Sequence, residues 1–460
     1  MPYSLCNQTT VSELSNDDIT RALARIAMWD PCIALDAEHV VAELLTEDIR
    51  PNLSQSVLQD WLWERLPNAF VSNAIHLANA HAWAAGALFD ELGLARYAAI
   101  CVSEQTAQVF EAWGRSTRSG TAAYNRAADR SGVRPRDLID FRWSVLPFGQ
   151  EAAAYRAVGQ ALERAISEFR LRPGARGWRR IQANITSNVL DSDHPTMPGQ
   201  SWRTAVLTEK VASWLAAADE RAPRLARARA SIANRLLHWP AAPSDAAEVV
   251  GALQSFLLDW GDERPVANTF GVCGDASATG GEAGSSRLAR YRESQDGPPD
   301  VFDEAAVSDV VQWMQKAGAL KRYKQSLRCT PRGRNMLVGP NYAWRVLAEN
   351  LGGSGWAGFV AETAILYLAV EGRAVPVSEV ESFVQAAAAE MGWQAVRAGG
   401  QPPTMKMVQN CLAEVAPIWS IVGFVDDDTA SGRRTFSLTY HGHALAVAFL
   451  HYRAVDGSRG

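Results

Sequence analysis

One phrase, met twice, constrains this chain of 460 residues more than any other feature. "LRCTPRGRNML" occupies residues 327–337 and "SLTYHGHALA" occupies residues 437–446. Both read Thr-x-x-Gly-x-x-x-Leu/Ala, with Thr330 and Thr439 in register 109 residues apart. Before the first copy, "DEAAVSDVVQWMQKAG" puts Val307, Val310, Val311 and Met314 on one helix face, and Gly318 ends that helix. "ALKRY" (319–323) and "SLRC" (326–329) are short strands around a Lys-Gln turn, which makes a hairpin. Thr330 then caps a helix, and Pro331 sits at its first position, where a missing N–H costs nothing. Gly333 permits close packing against the sheet. Helix, hairpin and capped helix form the back half of a winged-helix module.

The second copy has the same order. A helix is expected over about 404–416, with a helical turn after Pro417. "GFVDDD" (423–428) is a strand, "TASGRR" (429–434) a wing tip and "TFSL" (435–438) the return strand. Thr439 opens another helix, with Gly442 in the equivalent place. Between the copies, "PVSEVESFVQ" carries a Ser378/Glu381 capping box that is expected to open a further helix.

Upstream, helix signals dominate the first 270 residues. Ser15 is an N-cap followed by acids, Ile19, Leu23 and Ile26 keep helical spacing, and Asp30-Pro31 ends the segment. "SQSVLQDWLWERLP" (54–67) repeats that logic, and residues 68–113 are Ala-rich with large apolar residues spaced for packed helices. Residues 115–137 read as a polar interlude. Helices are expected again at about 151–169, 201–218 and 223–237. The Gly/Ser-rich stretch 271–300 lacks periodicity and reads as a flexible linker or long loop.

These readings give a mainly α fold: a helical N-terminal region plus tandem winged-helix-like modules with short β-hairpins. The expected organisation is an acidic helical domain at 1–114 and a helical, partly basic region at 115–270. The linker at 271–300 follows, then a first winged-helix-like module with a core helix at 301–375 and a second module at 376–454.

The Leu-Thr-Pro-x-Gly type of phrase resembles the end of the wing in regulators of the MarR and PadR types. "RGWRR", "HPTMPGQSW", "LLHWP", "AGALKRYKQSLRCTPRGRNML" and "WRVLAENL" together are similar to uncharacterised actinobacterial plasmid ORF-3-like proteins, over roughly residues 170–454. Residues 1–150 share none of it, and Tyr440 stands where the second copy would need Pro. The resemblance implies the winged-helix fold and carries no activity with it.

Charge narrows the partners. The formal net charge is −5, which argues against a protein that coats nucleic acid generally. Residues 1–112 hold 5 Lys and Arg against 15 Asp and Glu, so an acidic head precedes a body of net +5. The head is a candidate protein-contact region. The six cysteines are scattered without a CxxC, which points to reduced thiols in a cytoplasmic protein rather than a disulfide framework or zinc ribbon. "WAGFVAETAILYLAVEG" (356–372) contains Glu362 and falls short of a bilayer span, so it reads as a buried core helix and no membrane association is expected.

The first wing is the sharpest candidate site. Residues 319–337 hold Lys321, Arg322, Lys324, Arg328, Arg332 and Arg334 and no acid. Such a wing lies along phosphates of double-stranded DNA, each neutralised phosphate adding a salt-dependent contribution to binding. The competing reading is a solvated hairpin. The helix before it offers Ser308, Asp309, Gln312, Gln315 and Lys316, a poor set for reading bases because Asp309 repels phosphate. The second wing, with Asp426, Asp427 and Asp428 against Arg433 and Arg434, suits packing or protein contact. A second candidate basic face comprises Arg176, Arg179 and Arg180 around Trp178, and Arg224, Arg227 and Arg235 on one helix; a solvated helix face competes with it. "YNRAADRSGVRPRDL" (124–138) has a helix-turn-helix spacing in which Arg134 and Arg136 would start the second helix.

No catalytic motif is present, no metal set is evident among the eight histidines, and no cofactor is implied. "DSDHPTMPG" (191–199) reads as a turn between helices rather than a carboxylate–histidine site. The functional expectation is a non-enzymatic DNA-associated regulatory or accessory protein whose first wing contacts the phosphate backbone. The alternative is a protein–protein interaction scaffold whose winged helices are packing modules only. An enzyme would require a deep pocket gathering carboxylates or histidines.

Overall fold

The computed structural model describes residues 14–47, 50, 53–70, 75–138, 140–144, 146–218, 221–238, 240–260, 264–265, 304–323, 326–394, 400–428 and 433–455. The expected linker at 271–300 lies outside the described residues. The chain is mainly helical, and its contacts divide it into two units, residues 1–206 and 207–460.

In the first unit the caps read at Ser15 and Ser54 each open a helix. Helix α1 (Asn16–Trp29) opens on a Ser15/Asp18 capping box. Asp30 both stops α1 and caps α2 (Pro31–Leu44), its carboxylate accepting from the Cys32 and Ile33 amides at 2.9 and 3.1 Å. Ser54 caps α3 (Gln55–Asp60), which runs into a π-helical turn at Trp61–Arg65 and then α4 (Leu66–Ala69). The turn buries Trp61 and Trp63, and the Trp63 indole donates to Thr106 Oγ1 at 2.9 Å. Helices α5 (Ile75–Glu91), α6 (Ala95–Cys101) and α7 (Glu104–Arg115) complete this apolar cluster.

The expected polar interlude at 115–137 is instead largely a helix, α8 (Thr117–Ser131). Its buried face consists of Gly120, Ala123, Ala127 and Ala128, residues too small to announce a core face by their hydrophobicity. The small seam is required, because a Cβ at Gly120 would run into the Trp113 ring. The helix-turn-helix reading at 124–138 fails at its second half. Gly132 ends α8 at φ +81°, but residues 133–138 form no helix, so Arg134 and Arg136 begin none. The reason is a pin: the Gln182 amide donates to the Gly132 and Arg134 carbonyls at 3.0 and 2.9 Å. Gln182 lies on α10 (Trp178–Asp191), which packs on α9 (Gly149–Ser167) in a second small core. Helix α11 (Trp202–Ala216) spans the boundary between the units.

The second unit holds α12 (Pro223–Leu236), α13 (Ala246–Trp260), strand β1 (Arg264–Pro265), α14 (Glu304–Lys316), and the hairpin β2 (Leu320–Tyr323) and β3 (Ser326–Cys329). Then come α15 (Pro331–Val338), α16 (Pro340–Glu349), α17 (Gly355–Glu371), β4 (Val375–Pro376), α18 (Val377–Glu390) and α19 (Met405–Ile421). A second hairpin, β5 (Val425–Asp428) and β6 (Thr435–Leu438), leads to the last helix, α20 (Tyr440–Val455). The two sheets have orders β1-β3-β2 and β4-β6-β5, antiparallel throughout. Their registers match position by position: Leu320 pairs with Cys329 as Val425 pairs with Leu438, and Pro265 pairs with Ser326 as Pro376 pairs with Thr435.

One apolar core runs through this unit. Helix α17, the expected core helix, is buried on nearly every face, and its Glu362 is buried with it. That carboxylate accepts from the Trp214 indole (2.9 Å) and from Arg229 (2.8 Å) on one oxygen, and from Arg453 (3.1 Å) on the other. Two local readings are corrected. The Ser378/Glu381 capping box does not form: α18 starts at Val377, directly off β4, and the Val377 amide donates to the Arg434 carbonyl at 3.0 Å. Backbone from the neighbouring hairpin does the work expected of a side chain, and Glu381 instead accepts from Gln409 at 3.0 Å. Nor does Pro417 divide two segments; it lies inside a continuous α19, capped by Thr404.

Candidate nucleic-acid interface

The first hairpin forms where the sequence places it, and its alternation sorts the cations by face. Leu320, Leu327 and Cys329 are buried, so the pairs Leu320–Cys329 and Arg322–Leu327 share the core-side face. Lys321, Tyr323 and Arg328 share the outer face. Lys321 and Arg322 are exposed, and the Arg328 guanidinium lies 3.9 Å from the centre of the Tyr323 ring, a cation–π stack that holds it flat on the ribbon. The six cations therefore do not point one way. Arg322 takes the opposite side from Lys321, across from the buried Leu327, and is itself exposed.

Arg332 and Arg334 lie on α15, not on the hairpin. Arg332 donates to Glu349 at 2.8 Å, and Arg345 approaches the same carboxylate at 3.4 Å. Arg334 is exposed. Among the described residues Lys321, Arg322 and Arg334 make no ion pair. Lys324 lies outside the described residues. The base of the hairpin is rigid: Thr330 Oγ1 accepts from the Gly333 amide and donates to the Gly318 carbonyl. Burial raises the Cys329 thiol pKa beneath it.

Helix α14 precedes the first hairpin. Only Gln312 and Lys316 are fully exposed, whereas Ser308, Asp309 and Gln315 are half-buried. The helix packs against α19, its counterpart in the second module. The second hairpin carries Asp426, Asp427 and Asp428 on β5, with Arg433 and Arg434 before β6. Arg434 donates to Asp427 through Nε and Nη2 at 2.6–3.1 Å, and this bond raises the arginine's pKa.

The second set of arginines does not form one described face. Arg176, Arg179 and Arg180 belong to the first unit; all are exposed, and Arg179 lies over the Trp178 ring at 5.5 Å. Arg224, Arg227 and Arg235 belong to α12 of the second unit, where Arg224 pairs with Glu390 at 3.3 Å. The "DSDHPTMPG" segment is a turn between α10 and α11: Asp191 pairs with Arg203 at 2.7 Å, and His194 bonds Gln150 at 2.8 Å.

Sequence reasoning missed Asp60, at the head of the π-helical turn. Burial raises its carboxyl pKa to about 6, against the Tyr124 hydroxyl that donates to it at 2.8 Å. In "QDWLWER" the aspartate reads as an ordinary polar helix position, and only the π turn sets it apart. An open groove of about 480 Å³ between α7 and α8, lined by Glu104, Gln108, Glu111, Arg115, Arg126 and Arg130, was also invisible in sequence. Among the described residues no group of three metal-ligating side chains assembles, and no helix is long and apolar enough to cross a membrane. Comparison with protein-family models, curated proteins and solved structures finds no match to this chain.

Proposed function

We propose that this protein associates with the phosphate backbone of double-stranded DNA through the first hairpin, in a regulatory or accessory role without chemistry of its own. The two repeats in the second unit are read as winged-helix modules of the kind whose wing ends in Thr-Pro-x-Gly. Among the described residues the first runs α13, β1, α14, hairpin and α15, the second α17, β4, α18, α19, hairpin and α20, with one strand order in both sheets. The observation that carries the reading is the exposed pair Lys321 and Arg322 on a rigid ribbon with no carboxylate partner among the described residues. Phosphate contact without base reading fits the rest, because α14 spends part of its surface against α19. The acidic N-terminal region would then contact protein rather than nucleic acid.

The test is a salt titration of binding to duplex DNA. Affinity should fall steeply with salt, and replacing Lys321, Arg322 and Arg328 by Ala should reduce the log–log slope by about 2–3 units. Absence of binding at roughly 50 mM salt removes the proposal. A second reading, a protein-interaction scaffold in which the modules serve only as packing units, draws on the same α14–α19 contact. It predicts a partner retained after those three substitutions.

A further inference from the structure

Residues 168–181 read "EFRLRPGARGWRRI", five arginines and one acid, and connect α9 to the first turn of α10. The first aromatic of this stretch is held against two preferences. Phe169 is 72% exposed, and its φ of +58° is the one left-handed backbone among the described residues other than glycine. Helices often end on a residue in that conformation, but it is usually Gly, because a Cβ is strained there. The Phe169 and Leu171 amides donate to the Ile166 and Ala165 carbonyls at 3.0 and 2.9 Å, which fixes the bend. The chain thus bears backbone strain to hold a ring in solvent, and burial of the ring offsets little of it. Strain kept at an exposed residue points to a use for that residue.

The ring does not stand alone. Arg172 lies 5.9 Å from its centre, and Arg179 lies 5.5 Å from the centre of the half-buried Trp178 ring, both within cation–π range. Two successive turns join these pairs: the Ala175 amide donates to the Arg172 carbonyl at 3.1 Å, and the Trp178 amide to the Ala175 carbonyl at 3.2 Å. The connection is braced, because Pro173 packs on the end of α8, where a Cβ at Gly132 would stand 2.5 Å from its Cγ. Glu168, the acid of the stretch, is taken by Arg170 at 2.6 Å. Arg172, Arg176, Arg179 and Arg180 are exposed and make no ion pair among the described residues.

We propose that this connection binds single-stranded nucleic acid, with a base stacked on Phe169 and these four arginines along the flanking phosphates. Charge alone would suit any polyanion; the aromatic ring decides the class. Every base offers a face to a ring, and in a duplex those faces are covered by the neighbouring pairs. A phenyl ring standing out among guanidinium groups therefore selects unpaired strands. An acidic peptide would engage the arginines and leave the ring idle. The inference does not rest on the first hairpin, which belongs to the other unit.

The experiment is fluorescence anisotropy of oligo-dT and oligo-rU of about 20 nucleotides, longer than the site one domain covers. The protein is full-length K321A/R322A, which removes the exposed cations of the hairpin. At roughly 50 mM salt it should bind at least one of them more tightly than a duplex of equal length, and the tighter of the two identifies DNA or RNA. Phe169→Gly should weaken binding about tenfold, the scale of one lost base stack, with the salt slope unchanged. The same change should hold or raise the urea midpoint, because Gly relieves the left-handed backbone; a ring with a merely structural role would lower it. Phe169→Leu, apolar but not flat, should weaken binding likewise and serves should the Gly variant fail to fold. R176A/R180A should flatten the slope by about 1.4, at about 0.7 for each single-strand phosphate. No binding of either oligonucleotide overturns the proposal, as does binding unmoved by both Phe169 changes. An abasic oligomer bound as tightly as oligo-dT overturns it too, since phosphates alone would then be held. Tighter binding to phosphatidylcholine–phosphatidylglycerol vesicles than to either oligonucleotide would assign the ring and arginines to a membrane surface and overturn it equally.

Discussion

Thr330 Oγ1 donates to the Gly318 carbonyl at 2.7 Å, across twelve residues and from the far end of the hairpin to its start. Thr439 repeats the bond to Gly423 at 2.6 Å. Both glycines sit at positive φ, +72° and +65°, where a side chain would be strained. The same hydroxyls accept from the Gly333 and Gly442 amides at 3.1 and 2.8 Å and so cap the closing helices. One side chain thus fixes strand entry, strand exit and helix start. Thr330→Val keeps the shape and loses both bonds, and is expected to lower stability by about 1–2 kcal/mol in urea denaturation. Gly333→Ala and Gly442→Ala should cost more, about 2–3 kcal/mol, because the added Cβ meets the Ala319 and Phe424 carbonyl oxygens, which are backbone and cannot swing away. An alanine variant as stable as wild type at either site would contradict this packing.

Glu362 predicts a larger loss. Among the described residues it is the carboxylate that pairs with the buried Arg229 guanidinium, whose other anchor is the Trp214 carbonyl at 2.6 Å. Removing the acid leaves a positive charge in the core. Glu362→Ala should therefore destabilise the second unit by about 3–5 kcal/mol, since a broken buried pair costs far more than the intact pair contributes. Glu362→Gln, which retains an acceptor for the indole, should lose less. Denaturation followed by Trp fluorescence checks both, and equal losses for Ala and Gln would show that the retained acceptor contributes nothing and the lost charge carries the whole effect.

Asp60 fixes the sign of a pH effect in the first unit. Burial raises its pKa from 3.8 to about 6, with Glu64 adding repulsion and Tyr124, Arg134 and Arg65 opposing. The folded state therefore holds this proton more tightly than the unfolded chain. Its contribution to stability is complete below the unfolded value, near pH 3.8, and is lost as pH rises through about 6. The loss is about 2 kcal/mol once partial exposure is allowed for. Asp60→Asn should consequently unfold at higher denaturant than wild type at pH 7.5, with the gap closing toward pH 4.5. A constant difference across that range would mean that the carboxyl titrates normally.

Legibility followed the size of the residues that carry each signal. The capped starts at Ser15, Ser54 and Thr330 were readable because a cap is local chemistry, and the hairpins were readable from Thr-x-x-Gly flanked by short apolar strands. Helix α8 was not, because its core face is Gly and Ala and the partner that makes it a face, Trp113, lies in the preceding helix. The Ser378 box misled because the competing acceptor, the Arg434 carbonyl, is more than fifty residues away in sequence. The candidate site was legible in composition and less so in geometry. Six cations in a run of 19 residues could be counted, but their division between two ribbon faces and a helix depends on strand pairing. That Arg332 is already engaged depends on Glu349, which folding of α16 brings beside it.

That engagement separates the cations experimentally. Each phosphate contact that releases a counterion contributes about 0.9 to the salt slope of duplex binding, whatever the residue that makes it. Arg332 is held by a Glu349 side chain only 7% exposed, which also receives Arg345. Transferring Arg332 to a phosphate would leave a buried carboxylate short of one partner. Arg332→Ala should therefore leave the slope unchanged within about 0.2 and instead lower stability by about 1 kcal/mol. Lys321→Ala and Arg322→Ala should each flatten the slope by nearly one unit with stability within about 0.5 kcal/mol of wild type. Arg328→Ala should do both in part, because this half-buried arginine stacks on Tyr323 within the ribbon. Parallel salt titrations and urea melts on these four variants decide the matter. If Arg332→Ala flattens the slope as much as Lys321→Ala, the arginine leaves Glu349 for DNA; if all four slopes equal the wild-type slope, the hairpin does not touch the phosphates.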